Sequence, residues 1–146
     1  MANTILFITS CVMVVLHLLA VMWYGGPVPL QVLYVVGPTT SFLNHGTTLQ
    51  WTLWLDRSVM AVGCLMDLWY AWHLPQWGFL WSAIACTLIC YAVAKFMALN
   101  NLFAWSQVFH VVSHVLVTTE HIVLLYYYRT RDVLNGDKNA GAGAGC

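Results

Sequence analysis

The side chains of this chain that are able to do chemistry fall in a few short stretches. Ser41, His45, Asp56 and Arg57 place a hydroxyl, an imidazole, a carboxylate and a guanidinium within one segment. Further on, His110 and His114 form an i, i+4 pair, a spacing that lets one helix present two imidazoles to a metal ion. Two structural histidines bonded to neighbouring helices would share that spacing. Asp67, Glu120, His121 and His17 make a second polar set. It suits either an interhelical hydrogen-bond network or a path for protons or ions.

The surroundings of these groups are apolar. Hydrophobic residues make up 61% of the 146 positions and charged residues 7%, with a mean hydropathy of +0.75. A soluble domain carries about a quarter charged residues, so this composition cannot cover a water-facing surface. It predicts an all-α, polytopic bundle in a bilayer, with room for about five spans of ~20 residues. In such a setting every ionisable side chain is costly to hold. The net charge is zero and no basic patch exists, which removes nucleic acid as a partner. Cys11, Cys64, Cys86 and Cys90 sit inside apolar runs without a CxxC pair, so they read as small core residues.

Punctuation along the chain sets the elements. The first helix is expected over Thr4–Tyr24, retained rather than cleaved, because Gly25-Gly26-Pro27 replaces a small-residue cleavage site. A second, short helix over Leu30–Asn44 is expected to be interrupted by a kink at Gly37-Pro38, with Thr39, Thr40 and Ser41 placed to bond the freed carbonyls. Helices follow over Leu49–His73, Gly78–Leu99 and Phe103–Tyr128, parted by Pro75 and by Asn100-Asn101. This defines a bundle over 1–128 and a polar, then Gly/Ala-rich, mobile tail over 129–146. Arg129, Arg131 and Lys138 put that tail on the cytoplasmic or matrix side.

Counting residues from each turn gives depth. Asp56 lies about nineteen residues before Pro75 and Lys95 about twenty after it, with His110 about nine beyond Asn101. Asp56, Lys95 and His110 therefore share a level with Ser41 and His45. Asp67, Glu120, His121 and His17 share another. Arg57 and Lys95 are candidate ion-pair partners at the first level.

The pattern Ser41-x3-His45-x10-Asp56 followed by His110-x3-His114 resembles the CREST superfamily of membrane proteins: alkaline ceramidases, progestin/adipoQ receptors and lipid-remodelling proteins. That resemblance implies zinc held by His45, His110 and His114, with Ser41 and Asp56 as catalytic groups in hydrolysis of a lipid amide or ester. The first segment also resembles the haem-ligand segment of the small membrane anchor of succinate dehydrogenase. This second likeness implies a non-catalytic accessory or anchor subunit of a respiratory or photosynthetic complex, binding lipid, haem b or quinone. Membrane lipids, and in the second case other membrane subunits, are the expected partners.

Overall fold

A computed structural model describes residues 4–142, with side chains through residue 134. Among the described residues the chain is helical and has no strand: α1 (Thr4–Tyr24), α2 (Val28–Gly46), α3 (Gln50–Trp72), α4 (Trp77–Leu99) and α5 (Phe103–Ala142). The turns lie where the sequence places them. Gly25 and Gly26 take φ of 68° and 105°, and Asn101 takes φ of 60°. This left-handed backbone is open to glycine and tolerated by asparagine.

Two expectations are corrected. Helix α2 runs unbroken from Val28 to Gly46 with Pro38 inside it. In apolar surroundings a continuous helix remains the cheapest way to satisfy most backbone groups, even at the loss of one donor. The threonine hydroxyls bond back within the helix, Thr39 Oγ1 to the Val35 carbonyl at 2.7 Å and Thr40 Oγ1 to that of Gly37 at 2.8 Å. The fifth helix, expected to end at Tyr128, continues to Ala142. No proline intervenes, the Thr130 hydroxyl bonds the Tyr126 carbonyl at 2.9 Å, and the Arg131 guanidinium lies over the Tyr128 ring at 4.4 Å. Polarity there marks a change of surroundings, not the end of the helix. Residues 143–146 of the expected tail lie outside the described residues.

The helices form a closed ring in chain order, with α1 against α2 and α5, α2 against α3, α3 against α4, and α4 against α5. Short turns make chain neighbours antiparallel. Four such reversals leave α5 parallel to α1, and closure sets the two side by side, with Thr9 beside His114 and His17 beside His121. Helices α1 and α4 and the Phe103–Leu134 part of α5 are long and apolar enough to cross a membrane.

A dry core of Ala20, Leu30, Tyr34, Ala71, Leu74, Leu80, Leu124, Leu125 and Tyr128 closes one end of the ring. Leu124 is fully buried in it. Leu124→Ala is expected to lower stability by about 2–5 kcal/mol, the cost of a residual cavity in a close-packed interior. Reversible unfolding in detergent micelles measures it. A change under about 1 kcal/mol would mean that this end is not close-packed.

Candidate metal centre and buried polar network

The interior of the ring holds a cavity of about 130 Å³. Ser41, Asp56, Lys95 and His110 line one end of it, and Asp67 and His121 line the other. The two levels obtained by counting thus reach one continuous space from opposite ends.

At the first end α2 delivers His45 and α5 delivers His110 and His114. One ligand atom from each lies within 4.8 Å of the other two. The ring centroids are 5.1 Å apart for His45–His110, 5.5 Å for His45–His114 and 4.8 Å for His110–His114. Thr9 Oγ1 lies 3.2 Å from His114 Nδ1 and 3.0 Å from the Leu6 carbonyl, which ties one nitrogen of the His114 ring to α1. The Nε2 of His45 is buried and has no hydrogen-bond partner among the described residues.

A buried ring nitrogen without a partner is costly, and a cation bound by the triad would give it one. Tetrahedral zinc bound by nitrogen sets its ligand atoms about 3.3 Å apart. Side-chain rotations closing the triad by up to about 1.5 Å would suffice. The three histidines are thus placed where they could hold a metal ion.

The other expected members of this end behave differently. Asp56 Oδ2 accepts from Asn44 Nδ2 at 2.8 Å, a contact the counting did not reveal, although Asn44 adjoins His45. Ser41 Oγ lies 3.4 Å from Ser10 Oγ, which is also 2.8 Å from the Leu6 carbonyl. Arg57 and Lys95 are not ion-pair partners. The ion pairs among the described residues are His121–Asp67, His121–Glu120 and Arg131–Asp132. The Arg57 guanidinium stands 5.6 Å over Trp54, and the Lys95 ammonium 4.8 Å over Tyr91. Arg57 follows Asp56 directly and points about 100° away around the helix, so an aromatic face meets it before any carboxylate does. Tyr91 also turns toward His110, with centroids 5.6 Å apart.

At the second end His17, Asp67, Glu120 and His121 meet as counting placed them. Tyr34, which the sequence did not single out, joins them. Its hydroxyl donates to Asp67 Oδ1 at 2.6 Å and its ring stacks on His121 at 3.9 Å. His17 Nδ1 donates to the Met13 carbonyl at 2.8 Å, so Nε2 of neutral His17 accepts from His121 Nδ1 at 2.8 Å. His121 Nε2 then faces Asp67 Oδ2 at 3.0 Å and Glu120 Oε2 at 3.8 Å.

Comparison of the chain with protein-family models, curated proteins and solved structures returned no match.

Proposed function

We propose that the chain is a five-span membrane protein whose histidine triad holds zinc and whose reaction is hydrolysis of a lipid amide or ester, as the likeness to the CREST superfamily implies. The supporting observation is the convergence of His45, His110 and His114 around the unpartnered Nε2 of His45.

Spanning by α2 and α3 is supported by their faces. Their polar residues Tyr34, Ser41, Asp56 and Asp67 line the interior or are buried, whereas Val28, Val32, Trp54, Leu65 and Trp69 are exposed on the outside. Their modest hydropathy thus comes from the inward face. Exposed tryptophans gather at both ends of the ring, Trp51, Trp54 and Trp105 at one and Trp23, Trp69, Trp72 and Trp77 at the other. Along α3, Trp51 and Trp72 are about 31 Å apart, close to the ~30 Å thickness of the hydrocarbon layer. Asp56 lies about 8 Å inside the first belt, within the layer that the acyl chains fill.

Bound zinc supplies Lewis acidity toward a carbonyl and toward water. The chain's own groups do the rest. Asp56, oriented by the Asn44 amide, takes the proton that water loses as its oxygen adds to the carbonyl carbon. It returns that proton to the departing amine or alkoxide. Ser41, held only by a long bond to Ser10, can turn its hydroxyl to the lipid. His114 is held at its Nδ1 by Thr9, which keeps its ligating nitrogen in place.

The test uses purified protein reconstituted with zinc in lipid nanodiscs, with a fluorescent ceramide and a fluorescent ester lipid as substrates. Release of fatty acid from at least one is expected, with Asp56→Asn slowing it by about 10²–10⁴-fold while zinc content is unchanged. No release from either lipid, or full activity in Asp56→Asn, overturns the reading. A Soret band in the purified protein would favour the haem-anchor reading.

A further inference from the structure

The second polar end holds two carboxylates that are almost completely enclosed, with side-chain exposures of 4% for Asp67 and 2% for Glu120. Neither meets a lysine or arginine in any ion pair among the described residues. Buried charge of this kind has to be balanced. The hydrogen-bond chain dictates where the balancing charge must sit. With His17 fixed by the Met13 carbonyl, neutral His121 gives its Nδ1 proton to His17 and turns the lone pair of Nε2 toward Asp67 and Glu120. A nitrogen lone pair 3.0 Å from a carboxylate oxygen is repulsive unless a cation lies between them.

Protons balance the charge only in part. A proton on Glu120 Oε1 would have no acceptor, because that buried atom has no hydrogen-bond partner among the described residues. From Oε2 the nearest ring nitrogen is 3.8 Å away, beyond hydrogen-bond length. A divalent ion satisfies all of these atoms together and brings the two carboxylates to neutrality.

We propose that Asp67, Glu120 and His121 bind a second metal, one divalent first-row transition ion, independently of the histidine triad. One ligand atom from each lies within 4.8 Å of the other two. The 3.0 and 3.8 Å separations from His121 Nε2 bracket the ~3.0–3.4 Å between neighbouring ligands of such an ion. The surrounding bonds are those that hold metal ligands in place. The His121 Nδ1 proton is taken by His17, Asp67 is fixed by the Tyr34 hydroxyl, and the His121 ring is clamped by the Tyr34 face. One imidazole with two carboxylates suits zinc or manganese better than a softer ion.

The probe is zinc alone, counted by elemental analysis on purified protein after loading and desalting in detergent, with helicity checked by circular dichroism. Wild type is expected to hold about two zinc ions per chain. His110→Ala should keep one and Glu120→Gln should keep one, while the double variant should keep none. Manganese loaded into His110→Ala should give a bound-ion electron paramagnetic resonance signal that Glu120→Gln abolishes. A wild type holding one ion with His110→Ala holding none overturns the proposal, whether or not the Glu120 variant folds. Two ions retained in a folded Glu120→Gln also overturns it. Failure of the triad reading looks different, as one ion in both wild type and His110→Ala and none in Glu120→Gln.

Discussion

Replacing His110 by alanine is expected to lower zinc affinity at the triad by more than 100-fold and to abolish lipid hydrolysis. Removing a partner that only orients a metal ligand costs about 10–100-fold, and His110 stands inside the ligand set itself. Its ring is also the nearest neighbour of each of the other two, at centroid distances of 5.1 and 4.8 Å against 5.5 Å between His45 and His114. The two histidines left would come from different helices, and an ion bound by them would need additional oxygen ligands. The fold should survive, because the substitution takes bulk from the edge of a cavity and not from the packed end of the ring. The measurement is a zinc titration against a chelating dye, together with fatty-acid release and a helicity spectrum. Wild-type affinity in a folded His110→Ala would dismiss the triad as a metal centre.

The second large effect is on stability. Asp67→Leu is expected to cost about 3–5 kcal/mol in metal-free protein, the range for breaking a buried charged pair from one side. The substitution removes the acceptor of the Tyr34 hydroxyl and of His121 Nε2, both enclosed by the ring. It also leaves Glu120 as the remaining carboxylate of that end. Neutral hydrogen bonds between membrane helices average only about 0.6 kcal/mol. Two such bonds would therefore total little more than about 1 kcal/mol, and the size of the loss separates an ionic unit from a neutral one. Unfolding followed by circular dichroism in mixed micelles with EDTA gives the number. A loss near 1 kcal/mol would show that the His121–Asp67 pair carries no net charge separation.

Much of the axial order of the protein was legible from residue types. Gly25-Gly26, Pro75 and Asn100-Asn101 mark turns because few residues accept those backbone conformations, and the helix between each pair of turns then has a countable depth. Depth alone placed Asp56, Lys95 and His110 at one level, and Asp67, Glu120, His121 and His17 at another. Pro38 does not end α2, since one lost donor costs less than breaking the helix where no water competes for the remaining bonds. The polar residues after Tyr128 misled, as helix formation does not stop where apolarity does.

Azimuth was not legible. A position along a helix can be counted, but which neighbour it faces depends on the order in which helices close around an axis. Ring closure sets α1 beside α5, and only then does Thr9 meet His114 and His17 meet His121. Tyr34 meets Asp67 across the neighbouring pair α2 and α3, whereas Arg57 and Lys95 lie on aromatic rings of their own helices, Trp54 and Tyr91, one turn back. The sequence by itself determined an all-helical, lipid-compatible chain with two polar levels, because hydropathy and turn chemistry are local. The tertiary structure alone decided that each level is a convergent cluster, because convergence is a property of helices packed against one another.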